Sequence, residues 1–581
     1  MAADDARAAA AAPRALAAAS PRGAPALAPA APAAAATGAV RTRGLAAVLL
    51  LVALGVGFVA GDAPIAGAAS IAGATEDDAR ILHVLSRVTY GPRPGDVERV
   101  RILGLQAYLE QQLVPSRIDD TATDAALKDL ATLRMSIPDL LRGYPRPDAR
   151  TREKVQSGEM SRRDLMDMYP LEKRPVRIVS ELQAAKAVRA VMSERQLQEV
   201  MTDFWFNHFN VFAAKGEGRW YVGPYERDVI RPHALGRFPD LLRATARHPA
   251  MLFYLDNWLS ARPGFVIPGG PQKGRQAGLN ENYARELMEL HTLGVDGGYT
   301  QQDVREVARA FTGWSIDRPQ VYGRFVFRPR VHDTGAKAVL GQKIAAGGEQ
   351  DGERVLDLLA RHPATARFIA TKLVRRFVAD DPPGALVERV ALVYRQTDGD
   401  VRAMLRAIFA APEFYADDVR QGKIKRPFEF VTSAVRAVGV IIDAQAGFAL
   451  ARAAARIGEP LYECEPPTGY ADRAEAWVNP GALLARMNFG LALAHQRVPG
   501  VRVDLAALAA GADRSRPATV LEPLLAAVLH GNVTPETHAV LTSQLDAPEI
   551  TRLTGDDRGP ANTDVEKLLS LVLGSPEFQR R

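Results

Sequence analysis

"NENYARELMELHTLGVDGGYTQQDVREVARAFTGW" occupies residues 280–314 and reads as two helices around a glycine turn. A packing helix needs only an apolar stripe, yet this strip carries many charges and amides, one histidine and one tryptophan. The surplus polar groups belong either to a functional site or to a buried polar framework. Glu281, Arg285 and Glu289 stand at i, i+4 and i+8, an ion-pair ladder worth about 0.2–0.5 kcal/mol per pair when exposed. Asn282, Glu286 and Glu289 share a second face, and Ala284, Leu287 and His291 a third, mostly apolar one. A regular helix sets Glu286 and His291 roughly 140° apart and does not aim both at one metal. His291 lies just before Thr292-Leu293-Gly294, where the helix should end, so its direction is looser.

The helical period extends on both sides of the strip. "RIVSELQAAKAVRAVMSERQLQEVMTDFWFNHFNVF" (177–212) predicts a long helical region, and further helices are expected near 223–235, 239–247, 249–257, 350–410, 427–443 and through most of 480–575. Residues 263–278 form a Gly/Pro loop of the kind that often serves function. Residues 321–341 break the helical rhythm. They alternate around Asp333-Thr334-Gly335, which predicts a small β-hairpin insertion with Gly335 at positive φ. The fold expected is therefore mainly α, a single large multi-helix domain over 75–581. "ARHPA" recurs at 246–250 and 360–364, and "AIFAAPEF" (407–414) is echoed by "LVLGSPEF" (571–578). Both echoes read as helix junctions, with His favouring a helix C-terminus and Pro the first position of the next helix.

Residues 1–43 form an Ala/Pro-rich leader that no core can use and that is expected to be disordered. Arg41 and Arg43 precede the apolar run "GLAAVLLLVALGVGFVAG", and the triplets Ala66-Gly67-Ala68 and Ala72-Gly73-Ala74 follow it. Residues 44–74 therefore read as a signal peptide, or as a retained N-terminal membrane anchor. The protein is expected to be exported, periplasmic or extracellular, with mature chain beginning near Ala69 or Thr75. A leader this long suggests a true start near Val40, and the lack of an Arg-Arg pair favours the general secretion route.

Residues 1–74 carry +2, leaving +4 of the chain's +6 for the rest, with no Lys/Arg cluster that would suggest nucleic acid. Cys464 is the only cysteine, which excludes an intramolecular disulfide, C-x-x-C-H haem attachment and a thiolate zinc cluster. No phosphate loop, dinucleotide glycine fingerprint, G-x-S-x-G elbow or H-E-x-x-H pair is present. Asp333-Thr334-Gly335 matches the aspartic-protease triplet, but that chemistry needs two facing carboxylates and there is no second copy.

Two functional readings follow. His208, flanked by Asn207 and Asn210 among aromatic residues, joins Asn282, Glu286, His291, His332 and Asp333 as a candidate pocket. His208, His291 and His332 would hold a divalent transition metal, and Glu286, His291 and Asp333 would carry a hydrolysis with Glu286 as general base. Alternatively, the same residues form a buried network in a non-catalytic envelope, assembly or binding protein whose long loops meet a partner.

Several stretches together resemble the bacterial domain-of-unknown-function 1800 family: "RVTYGPRPGDVERVRILGLQAYLEQQL" (87–113), "FWFNHF" (204–209), "HPAMLFYLDN" (248–257), "NENYARELMELHTLGV" (280–295), "YTQQDVREVARAFTGW" (299–314), "HDTGAKAVLG" (332–341), "HPATARFIATKLVRRFV" (362–378), "KRPFEFV" (425–431) and "SPEF" (575–578). One departure is Tyr470 in "PPTGY" (466–470), where the family more often has Gly-Trp. The resemblance implies a large, mostly helical exported protein, and as a partner a second exported protein encoded nearby. It implies no activity.

Overall fold

The Val176–Met192 helix is buried along most of its length, including Ala184, Ala185, Ala187, Val188 and Ala190. Small residues let a neighbour come close, and the neighbour is the Ala-rich helix Ala444–Ile457. At the crossing a Cβ on Gly447 would lie 2.5 Å from the Ala184 carbonyl oxygen. Gly447→Ala should therefore cost about 1–3 kcal/mol by overpacking, although alanine is the better helix former by about 1 kcal/mol. A urea-unfolding midpoint that rises in this variant would refute the close crossing.

The computed structural model describes residues 76–269, 273–545, 551–552 and 562–581. The leader and the apolar run lie outside the described residues, among which no helix is long and apolar enough to cross a membrane. One contiguous hydrophobic core runs from Ile81 to Phe578. Around the central pair, the helices Pro363–Phe377 and Gly384–Gln396 form a hairpin, and Pro480–Ala494 packs on Val565–Gly574. The fold is mainly α.

The β insertion comprises two antiparallel hairpins rather than one. Strand β1 (Trp314–Asp317) pairs with β2 (Arg324–Phe327), with Trp314 opposite Phe327. Strand β3 (Lys337–Val339) pairs with β4 (Gln342–Ile344) through Leu340 and Gly341, at φ 49° and 73°. That two-residue turn matches the twist of the strands. A two-residue pair, Thr551–Arg552 with Asn562–Thr563, lies further along.

Asp333-Thr334-Gly335 is not a hairpin turn. It is the link into β3, where Asp333 accepts the Gly335 N–H at 2.9 Å and Gly335 has no positive φ. The Gly/Pro loop is a ribbon in part: Ala277 N–H donates to Phe265 and Ile267 N–H to Arg275 across it. The two "HPA" junctions are also corrected. His248 and His362 cap the following helices by accepting the N–H of Ala250 and Ala364, each at 3.2 Å. Burial lowers both imidazole pKa values, that of His248 to about 3, so neither acts as a cation at a helix C-terminus.

Candidate functional site

The charges of the 280–314 strip have two destinations. On its first helix the Glu281–Arg285–Glu289 ladder forms at 3.7 and 3.5 Å and continues through Gln301, which bonds both Arg285 and Glu281. The second helix, Gln301–Ala310, turns its polar face to the insertion. Asp303 accepts the Leu340 N–H at 2.7 Å and Glu306 the Ala338 N–H at 2.9 Å. Arg309 forks onto Asp333 with two 2.9 Å hydrogen bonds while also holding Glu306. This bidentate geometry fixes the insertion against the helix. Burial pushes the Asp333 carboxyl up, but the Arg309 hydrogen bonds and the Gly335 N–H outweigh it and hold its pKa below the usual value.

His332 lies beside this clamp in a closed cluster. Its Nδ1 is 2.7 Å from the Thr312 carbonyl, to which it donates, and its Nε2 is 3.1 Å from Asp351 Oδ2. Lys337 Nζ donates to the same Asp351 oxygen at 2.6 Å and lies 3.5 Å from His332 Nε2. The side chains of Lys337 and Asp351 are 0% exposed and that of His332 is 2% exposed. Asp351 stands in the first turn of the Gln350–Ala360 helix, where the helix dipole favours a carboxylate. A metal on His332 Nε2 would have to displace a bonded ammonium group.

His208 and His291 are together elsewhere. His208 ends the Gln196–His208 helix, and its Nε2 donates to the His291 carbonyl at 3.1 Å, with ring centroids 6.1 Å apart. His291 sits in a π-helical turn, Leu287–Thr292, closed by Leu293 N–H to Met288 O at 2.9 Å. Such a turn draws residues five apart towards one side. Even so, Glu286 remains half-buried while His291 is 1% exposed. Trp205, Phe209, Phe238 and Phe368 surround His208. Burial, then Lys372, drives the His208 pKa well down and that of His291 to about 3, so both rings are neutral at ordinary pH. Among the described residues His208 Nδ1 and His291 Nε2 have no hydrogen-bond partner.

Asn207 and Asn210 clamp a loop instead of a ligand. Asn207 exchanges two hydrogen bonds with the Tyr470 backbone, at 2.8 and 2.7 Å, and Asn210 donates to Cys464 and Pro466 carbonyls. Gly469, at φ 69°, is needed there: a Cβ would lie 2.3 Å from the Asn207 carbonyl oxygen. Tyr470 keeps an anchoring role, donating its hydroxyl proton to Pro460 O at 2.7 Å.

The six candidate residues are thus not brought to one pocket. His208 and His291 are neighbours, His332 and Asp333 belong to the insertion clamp, Asn282 is exposed, and Glu286 is half-buried. Among the described residues no group of three or more His, Cys, Asp or Glu is placed to hold a metal, so the three-histidine set does not assemble. Glu286 makes no hydrogen bond or ion pair among the described residues, and burial followed by repulsion from Glu289 raises its pKa. Sequence reasoning missed Asp351 and Lys372. Lys372, from the Pro363–Phe377 helix, is held down at about 8 by burial and bears electrostatically on both histidines.

These features describe a large helical protein whose motif residues meet in separate polar clusters around one core. The family model "Protein of unknown function (DUF1800)" matches residues 83–580, and the chain belongs to that family. No curated protein and no solved structure matches it.

Proposed function

We propose that this is an exported, non-catalytic envelope or assembly protein whose motif residues form a buried polar framework. The observation that carries this reading is the closed His332–Asp351–Lys337 cluster, with side chains 2%, 0% and 0% exposed. A reacting or metal-binding group needs a face open to its ligand, and these atoms face one another. Export is supported by the apolar run behind Arg41 and Arg43 and by the small-residue triplets after it. The partner the family resemblance implies is a second exported protein, and the ribbon formed by residues 265–267 and 275–277, with Val266 54% exposed, is a surface to meet it.

A second reading, a hydrolase with Glu286 as general base, is favoured by one observation. The Glu286 carboxyl is half-buried, belongs to no ion pair and has a raised pKa. The variant Glu286→Gln separates the two. A framework protein should keep its melting temperature and restore a deletion strain as the wild type does. Normal folding with loss of the cellular phenotype would favour the hydrolase.

A further inference from the structure

A partly open cavity of about 290 Å³ lies between the Val176–Met192 helix and the continuous helical segment Gly218–His233. Leu127, Leu133 and Leu182 give it an apolar wall, and Arg134, Arg189, Arg227 and Arg231 border it together with the carboxylates of Asp124 and Glu226. Leu182 and Arg189 are seven residues apart and so project from one stripe of their helix. The opposite wall contains a second π-helical turn, Glu226–Ile230. It places Glu226 and Arg231, five residues apart, within 3.3 Å of each other, and such turns recur at functional sites.

Three of the four arginines are engaged. Arg231 bonds Glu199 at 2.5 Å besides Glu226, Arg227 holds Asp228 and the carbonyls of Leu133 and Met135, and Arg134 donates to the Lys128 carbonyl. Glu226 is also occupied, accepting the Tyr462 hydroxyl proton at 2.5 Å. Arg189 alone makes no hydrogen bond or ion pair among the described residues, although it is half-buried and lines the cavity. Burial, then repulsion from Arg231, pulls its pKa below the ordinary arginine value, and an incoming anion would relieve both effects. A half-buried guanidinium without a partner can take one at the cavity, and guanidinium groups match carboxylates in shape.

We propose that this cavity binds a small amphiphilic anion, its carboxylate on Arg189 and its short apolar body against Leu127, Leu133 and Leu182. The volume lies at the lower end for ligand pockets, which limits the body to a few carbons. The proposal is independent of the reading given above for the motif residues.

Isothermal titration of the full chain with hexanoate tests it, with hexylamine and inorganic phosphate as controls. Saturable binding of hexanoate is expected, with none of hexylamine and weaker binding of phosphate, which has no apolar body. Arg189→Gln should weaken hexanoate binding about tenfold or more, as loss of a charge-assisted contact implies. Leu133→Phe, which keeps every charge and fills the cavity, should also abolish it, so the test survives misfolding of the arginine variant. Absence of hexanoate binding to the wild type, unchanged affinity in folded Arg189→Gln, or phosphate binding as tightly as hexanoate would each overturn the proposal.

Discussion

Lowering the pH from 7 to 5 should remove a substantial part of this protein's stability. His83, His208 and His291 are 5%, 2% and 1% exposed. Burial, aided by Arg87 for His83 and by Lys372 for the other two, depresses all three pKa values, to about 3 for His83 and His291. The folded state therefore keeps these rings neutral where the unfolded chain, with a pKa of about 6.5, takes up protons. The contribution of these rings is complete above about pH 6.5 and falls as the pH drops towards the folded values, by about 1.4 kcal/mol per pH unit for each ring. Three rings give a loss on the order of 6 kcal/mol by pH 5, against about 5–15 kcal/mol for a whole domain. Ordinary carboxylates stay ionised in both states over this window. The raised pKa values of Glu286 and Glu459 act in the opposite direction. Lys372, at about 8, extends the same slope upwards, with stability lost between about 10.5 and 8 as the pH falls. Urea-unfolding midpoints at pH 8.5, 7 and 5.5 should fall in that order. A flat profile would show that these rings reach solvent.

Asp351→Asn should destabilise the fold by about 3–5 kcal/mol, the cost of removing one partner from a buried ion pair. The substitution keeps the shape but removes the nearer negative charge, leaving the Lys337 ammonium, 0% exposed, with the Asp333 carboxylate at 3.9 Å as its counter-charge. It also takes a carboxylate from the first turn of the Gln350–Ala360 helix, where the dipole favours it. The variant should retain helical circular dichroism at low temperature and melt well below the wild type.

The mainly α fold was legible because helical spacing is written locally. The Gln301–Ala310 helix shows its apolar face at Val304, Val307 and Ala308 and its polar face at Asp303, Glu306 and Arg309. The ion-pair ladder on the preceding helix was legible for the same reason. What failed depended on distant parts of the chain. Asp351 reads as an ordinary first-turn acid, and only the fold brings it to His332, 19 residues earlier. Lys372 reads as one cation in a Lys/Arg run, yet it faces the histidines through the core. The π turn at Leu287–Thr292 leaves no trace in residue spacing, since tertiary packing sets it: a Cβ on Gly294, just beyond it, would lie 2.9 Å from the Phe368 ring. Asp-Thr-Gly read as the hairpin turn, but its aspartate is committed to Arg309 and the Gly335 N–H.

The claim that the motif residues are a framework is tested most directly at Lys337 and Asp351. The measurement is the unfolding free energy of Asp351→Asn and of the paired Lys337→Met/Asp351→Leu variant, each set beside its ability to restore a deletion strain. A framework predicts a loss of about 3–5 kcal/mol in the single variant, recovery of much of it when both charges are replaced by apolar groups, and normal function per folded molecule. An Asp351→Asn protein that melts with the wild type and yet fails in the cell would place chemistry at Asp351 and contradict the account.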